Sequence, residues 1–458
     1  MLSSTRPQEH PVRSLVALYV AWKALLLLVA ACSPGPGYDT SASLAPPSPA
    51  PALPRALRHL VGKLTRWDAV YFVQLARRGY LFEQEWAFGW GFTRLIAAGT
   101  TRELHTHLPF PPPPGSSQAV LGKLGVTAYD GLEGLVAVGL AHLSHLLSVL
   151  AAFRLTRAIF PEAPVELALR AASFHVISPA GLFLSAPYAE SSCALLSFAG
   201  CILFTQSLGR RGSGPVARDL LLLSSGICFG LATACRSNGI LNGLLLLEEA
   251  LRVLHALGRG WQLARLRRLV ATAVGGMSVG AGFVLPQFLA YGEYCGGRDT
   301  TLRPWCERTI PSIYTFVQDH YWDCGFLRYW KFSNLPLFLL ATPMLALLTV
   351  SGLWGLSSEA GRQQEPAPSA RKESRGDHAT RQVLRNLAFS QLILVILTLT
   401  TAHVQIITRI SSASPVWLWY AALASPEGHP LLGRNLVQFV VVYALVQGAL
   451  FASFLPPA

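Results

Sequence analysis

The run Leu15-Val16-Ala17-Leu18-Tyr19-Val20-Ala21-Trp22-Lys23-Ala24-Leu25-Leu26-Leu27-Leu28-Val29-Ala30 decides what kind of fold this chain can adopt. Extended to 13–33, it reaches the roughly 20 residues that an α-helix needs to cross a bilayer. Arg6 and Arg13 precede the apolar core of the run, and Ala30-Ala31-Cys32-Ser33 closes it with small residues. A cleaved signal peptide ends in small residues too. This stretch is long for one and carries Lys23 in its middle, so it reads as an uncleaved membrane anchor. Either way, the segment that follows lies across the membrane.

Similar runs recur near 131–153, 166–185, 190–208, 219–235, 238–251, 268–290, 334–356, 386–408 and 432–455. They predict an all-α polytopic membrane protein with about ten transmembrane helices. Composition agrees: 52% of residues are hydrophobic, 13% are charged, and mean hydropathy is +0.40. A soluble globular chain carries about 25% charged residues. The net charge of +13 would suggest nucleic acid in a soluble protein. Here the basic residues sit between apolar runs, without interleaved aromatics, so no nucleic-acid partner is expected.

Placing the N-terminus in the cytosol makes Lys and Arg about twice as dense in the cytosolic segments as opposite them. Arg210-Arg211 and Arg265-Leu266-Arg267-Arg268 contribute most of this bias. The expected organisation is an anchor at 1–33, a long non-cytosolic loop at 34–129 and a transmembrane bundle at 130–290. A second non-cytosolic loop at 291–333, a helix at 334–356, a disordered cytosolic loop at 357–385 and C-terminal helices at 386–458 follow. In the first loop, proline-rich connectors at Pro46-Pro47 and Pro109–Pro114 flank a helical period through Leu60, Leu64, Trp67, Tyr71 and Leu75. An amphipathic helix on the membrane surface fits 60–99. Cys295, Cys306 and Cys324 share the second loop, where Cys295–Cys306 is the preferred disulfide in an oxidising compartment. No Cys or His spacing suggests zinc, and no metal or cofactor is expected.

Four polar motifs then fall on one side of the membrane. They are Arg66-Trp67-Asp68, Ser185 to Ser191 with Tyr188 and Glu190, Arg236-Ser237-Asn238-Gly239, and His403-Val404-Gln405 with Thr408-Arg409. Ionisable residues at such depths are costly and usually line a cavity. The residue types suit sugar transfer from a lipid phosphate. Asp68 can accept the proton of an attacking hydroxyl. Arg236, Arg409 and His403 can hold a phosphate leaving group. Trp67, Tyr71 and Trp86 can stack on a sugar. Plainer readings stand beside these. A Trp-Asp pair arises by chance, Arg236 and Arg409 fit interfacial anchors, Glu190 fits a helix cap, and Glu83-Gln84-Glu85 fits a solvated turn.

Taken together the motifs resemble the GPI mannosyltransferase 2 (PIG-V type) family. The resemblance rests on Arg66-Trp67-Asp68-Ala69-Val70-Tyr71-Phe72 with Gly79-Tyr80, and on Glu85-Trp86-Ala87-Phe88. It continues through Ser178-Pro179-Ala180, Phe183-Leu184-Ser185, Tyr188-Ala189-Glu190-Ser191 and Arg236-Ser237-Asn238-Gly239. Gly325 to Trp330, Asn334-Leu335-Pro336, His403 to Gln405, Thr408-Arg409 and Ser414-Pro415 complete it. Phe88-Gly89-Trp90-Gly91-Phe92 looks like the fungal version. The resemblance implies a GT-C type glycosyltransferase of the endoplasmic reticulum membrane with a lumenal active site. It implies dolichyl phosphate mannose as donor, a mannosylated GPI lipid as acceptor, and inverting transfer of the second mannose in α1,6 linkage. Asp68 matches the family's loop carboxylate and Trp67 its aromatic neighbour. Arg66, Tyr71, Tyr188, Glu190, Arg236, Asn238, His403, Gln405 and Arg409 are the expected substrate contacts. The resemblance also implies a small membrane partner subunit. Competing readings are another dolichyl-phosphate-sugar transferase, a transporter, and a non-catalytic membrane scaffold.

Overall fold

The computed structural model describes residues 7–35, 54–100, 132–209, 214–296, 303–357, 375–424 and 430–455. The proline-rich connector from Pro46 to Pro51, that at Pro109–Pro114, Arg210-Arg211 and most of 357–385 lie outside the described residues. All regular structure among the described residues is helical. In chain order the helices are α1 (Pro11–Cys32), α2 (Arg55–Leu64), α3 (Asp68–Arg78), α4 (Trp90–Thr100), α5 (Leu132–Ile159) and α6 (Val165–Val176). Then come α7 (Glu190–Gly209), α8 (Pro215–Cys235), α9 (Gly243–Gly258), α10 (Leu263–Cys295) and α11 (Ile313–His320). The last are α12 (Leu335–Leu356), α13 (Arg375–Thr401), α14 (Ile407–Ile410), α15 (Val416–Ala424) and α16 (Pro430–Ala452).

Among the described residues, eight helices contain a stretch long and apolar enough to cross a membrane: α1, α5, α7, α8, α10, α12, α13 and α16. The protein is a multi-pass membrane protein. Two expected spans are not single helices. The run at 166–185 forms α6, of 12 residues, breaks at Ser178-Pro179, and ends in a buried 3-10 turn, Gly181–Leu184. Proline biases the residue before it away from helical conformation, which favours the stop of α6 just ahead of Pro179. The run at 238–251 splits into a 3-10 segment, Ser237–Asn242, and α9. Hydropathy sees the apolar content of both runs but not the break.

The C-terminal region departs further from expectation. Trp419 in α15 donates its indole N–H to Thr156 Oγ1 (2.9 Å) in the last turn of α5. Arg409 and His403, a few residues earlier, lie at the other end of the bundle with Asp68. Residues 407–424 therefore run from one end to the other in short pieces, between the apolar runs expected at 386–408 and 432–455. α16 runs back, and its last residues meet Trp67. Pro11 at the start of α1 and Ala452 at the end of α16 thus lie at opposite ends of the bundle, where ten simple spans would leave them at one.

Close helix contacts hold the bundle. α8 packs on α7 and α10, and α5 on α7. A Cβ on Gly226 would sit 2.3 Å from the Gly275 Cα, and one on Gly282 would sit 2.2 Å from the Gly230 carbonyl oxygen. Small residues allow this approach, which replaces the hydrophobic drive that lipid removes. At the end away from Asp68, Asp219 pairs with Arg267, and Glu249 with Arg252 and Arg268, clamping α8, α9 and α10. Gly226→Leu is expected to destabilise the fold by about 1–3 kcal/mol or more through overpacking. Gly139→Ala, where nothing lies within 4 Å of an added Cβ, serves as the neutral control. Thermal melting of both in detergent tests the pair.

Candidate functional site at one end of the bundle

The amphipathic stretch at 60–99 does not form one helix. α2 stops at Leu64, and Trp67 adopts φ 55° and ψ −132°, a conformation that strongly favours glycine. α3 restarts at Asp68. Two aromatic contacts hold this turn. Trp67 stacks on Phe454 at 5.1 Å between ring centroids, and the Arg66 guanidinium lies 4.7 Å from the same ring. The turn aims Asp68 out of the first helical turn, and its side chain is 40% exposed.

Arg409 is the centre of the charged cluster behind it. Its Nε donates to Glu190 Oε1 at 2.9 Å, and Nη1 and Nη2 each lie 3.3 Å from Asp68 Oδ2. Arg236 Nη1 donates to the same Glu190 oxygen at 2.5 Å. The Arg409 guanidinium lies 4.6 Å from the Phe183 ring and 4.7 Å from the Tyr188 ring. Glu190 and Tyr188 are fully buried beneath it. A buried carboxylate is tolerated only when paired and hydrogen-bonded, and Glu190 meets this condition by joining two arginines. Lys23, the lysine in the middle of α1, supports the floor of the cluster. Its Nζ donates to the Leu184 carbonyl (3.0 Å) and Ser185 Oγ (2.7 Å), fixing the turn that carries Phe183.

A second group of predicted residues gathers on the 291–333 loop. His403 Nε2 donates to the Trp322 carbonyl at 2.9 Å, and its ring stacks on Tyr329 at 4.7 Å. The Tyr329 hydroxyl donates to Gln405 Oε1 at 3.1 Å. Burial raises the pKa of this phenol. Trp322 meets Phe88 edge-on at 5.5 Å, and Phe88 stacks on Tyr71 at 4.6 Å, one turn beyond Asp68. An aromatic relay therefore joins His403 to the Asp68 helix. Asn238 lies apart, lining a small cavity with Ser197, Asn242 and Gln391 among the helices. Trp86 is packed against Tyr80 in the loop core, so it does not offer a face to a sugar.

The sequence reading missed several supports. Glu83 and Glu85 are buried, not part of a solvated turn. Glu85 accepts from Arg78 (2.5 Å) and from the backbone N–H groups of Leu81 (2.8 Å) and Phe82 (3.1 Å). Glu83 accepts from the Trp305 indole at 2.9 Å. The Glu85 bonds close a turn within the first loop, and the Glu83–Trp305 bond ties that loop to the second, which the expected Cys295–Cys306 disulfide also staples, with a Cα separation of 5.8 Å. Cys324 is a buried free thiol, and burial pushes its pKa up to about 11. Phe454 carried no readable signal, and Phe183 stood only within the Phe183-Leu184-Ser185 match, with no contact role read for it.

The profile of the family described as Mannosyltransferase (PIG-V) matches residues 12–458. The chain belongs to this family. It is 44% identical to the GPI mannosyltransferase 2 of Chaetomium globosum, with 98% of this chain and 97% of that one aligned. It is 40% identical to that of Gibberella zeae (98% and 99% aligned) and 29% identical to that of Schizosaccharomyces pombe (86% and 73% aligned). Among solved structures it is similar to the oligosaccharyltransferase AglB from Archaeoglobus fulgidus, solved with an inhibitory peptide and a dolichol-phosphate. The TM-score is 0.45 and the identity 12%, over 98% of this chain and 56% of that one. The chain spans little more than half of that longer protein.

The geometry of this PIG-V family member makes Glu190 a sensitive site for stability. Glu190→Ala leaves two arginines facing one another in a buried setting and is expected to cost roughly 3–5 kcal/mol. Phe454→Ala removes the ring under Trp67 without touching Asp68. It is expected to lower turnover severalfold while the melting temperature shifts by only a few degrees. Melting curves and steady-state rates for the two variants check both statements.

Proposed function

We propose that this protein transfers the second mannose, in α1,6 linkage, from dolichyl phosphate mannose to a GPI precursor, with inversion, at the lumenal face of the endoplasmic reticulum. The family and its GPI mannosyltransferase 2 relatives support the reaction class. The architecture proposed with it is of the GT-C type. The observation that carries the site is the half-exposed Asp68 carboxylate, held by Arg409 in a cluster that also contains Glu190 and Arg236.

In this reading Asp68 is the general base. It takes the proton of the acceptor hydroxyl as that oxygen attacks the anomeric carbon, and the dolichyl phosphate leaves on the opposite face. One base suffices, because the leaving phosphate needs no protonation. Arg409 Nε stays on Glu190. Its two Nη atoms, at 3.3 Å from Asp68, are long for charge-assisted bonds. An incoming donor phosphate draws these nitrogens away and frees the base. Arg236 adds a second cation beside it. Tyr188 and Glu190 act from below by positioning Arg409. His403, Gln405, Tyr71 and Trp67 border the sugar, and Asn238 acts only through the packing of its helix.

Complementation of a fungal strain conditionally lacking GPI mannosyltransferase 2 tests the reading, with inositol-labelled lipids followed. Wild type is expected to rescue growth. Asp68→Asn at matched abundance is expected to accumulate a one-mannose intermediate, with transfer reduced about a hundredfold or more, the scale of general base catalysis. Stable wild-type protein without rescue rejects the assignment, and rescue by both removes Asp68 from the chemistry.

A further inference from the structure

Outside the charged cluster, positive charge also gathers on α2. α2 and the residues after it carry Arg55, Arg58, His59, Lys63 and Arg66, which with Gly62 line an open cavity of about 350 Å³. None of these lining residues is acidic. The opposite side of α2 is apolar and buried through Val61 and Leu64. The helix is tied to the end of α1: Lys63 Nζ donates to the carbonyls of Ser33 (2.8 Å) and Pro34 (3.2 Å), and His59 Nε2 to that of Ala31 (3.1 Å). The charges are crowded. Burial first, and the neighbouring Arg66 second, lower the Lys63 pKa. A cavity walled by several cations presents a positive potential to an anion that enters it.

The position of the cavity says which anion. α1 has the length and apolarity of a spanning helix, so its C-terminal end marks the level of lipid head groups. One turn before Ala31, Leu28 is 60% exposed, an apolar surface leading up to the cavity. A molecule with a phosphate at head-group depth and hydrocarbon below it matches both features. Arginine forks suit phosphate oxygens. Arg66 belongs to the wall of the cavity and is two residues from Asp68.

We propose that this basic cavity on α2 binds the phosphate ester of a lipid-linked reactant and so delivers that reactant to Asp68. The inference rests on the transfer reaction proposed above for the identity of the lipids. Two reactants carry such a phosphate: the dolichyl phosphate donor and the phosphatidylinositol-linked acceptor. Bulk anionic phospholipid has the same chemistry but no role in the reaction.

The test uses the full-length protein in nanodiscs of neutral phosphatidylcholine, comparing wild type with the double variant Arg55→Gln/Arg58→Gln. KM is measured for dolichyl phosphate mannose, for a mannosylated glucosaminyl-phosphatidylinositol acceptor, and for the same acceptor with a phosphate-free alkyl anchor. A rise of about tenfold in the donor KM with either acceptor, at nearly unchanged kcat, assigns the site to the donor phosphate. A similar rise for the phosphate-bearing acceptor alone assigns it to the acceptor. Arg55→Lys/Arg58→Lys is expected to recover much of the loss, and unchanged melting excludes misfolding. All KM values within twofold of wild type overturn the proposal. So does a defect that appears only when anionic phospholipid is added to the nanodiscs, which marks general membrane attraction. Direct binding of dolichyl phosphate and of the phosphate-bearing acceptor is measured alongside. Absence of turnover in wild type then counts against the transfer reaction, whereas equal binding of both lipids by wild type and variant counts against the site.

Discussion

The Arg409 guanidinium is the constraint on which this end of the molecule depends. It joins Asp68 on the first loop, Glu190 at the start of α7, and the rings of Phe183 and Tyr188. Glu190 extends the link to Arg236 after α8. Four chain segments far apart in sequence therefore meet through one side chain. In a membrane protein this is a costly centre, because each charge must be matched before it is buried. The matching leaves little freedom. If any of the four segments moved by an ångström or two, a charged group would lose its partner, so the charges also fix the geometry.

Asp68 is presented by strain. A bulky aromatic at positive φ costs of order 1–3 kcal/mol, and the fold maintains it by stacking Trp67 on Phe454. Phe454 itself sits at positive φ, at 59°, just beyond the last helix. The final helix thus closes on the loop that carries the carboxylate. This is possible only because 407–424 crosses the bundle in short pieces, so that α16 runs toward Asp68. The crossing that hydropathy did not reveal is the one that completes the support of the candidate base.

What was legible follows from the physics of each signal. Long apolar helices such as α1, α5 and α10 show plainly, because crossing a bilayer demands about 20 apolar residues in a row. The convergence of Asp68, Glu190, Arg236 and Arg409 on one end was legible through the Lys and Arg bias, since it depends only on which side each motif occupies. The breaks were harder. α6 with its 3-10 turn, and α14 to α15, have the composition of spans or loops, and periodicity cannot separate a buried broken helix from either. The buried state of Glu83 and Glu85 was unreadable for another reason. Glu83 meets its partner Trp305 only when the second loop folds over the first, and Glu85 meets Arg78 only through the turn that bends the first loop back on itself. Asn238 shares a tetrad with Arg236, yet the 3-10 turn between them sends it into a different cavity.

The unreadable breaks and the readable motifs are two aspects of one design. Each motif sits where a helix ends or changes type: Ser178-Pro179 and Pro187 before Glu190, Ser237–Asn242 after Arg236, and the 3-10 turns Val404–Ile406 and Ser411–Ala413 on either side of Arg409. Irregular backbone at membrane depth is tolerated only where protein or a water-filled space satisfies its N–H and C=O groups. Lys23 shows how this is done, spending a buried cation on the Leu184 carbonyl and Ser185 hydroxyl. An unbroken helix directs its side chains along its own wall, whereas a broken one can turn a residue such as Arg409 or Glu190 inward from its end. The interruptions that make this fold hard to read from hydropathy are therefore what allow its charged groups to face one another.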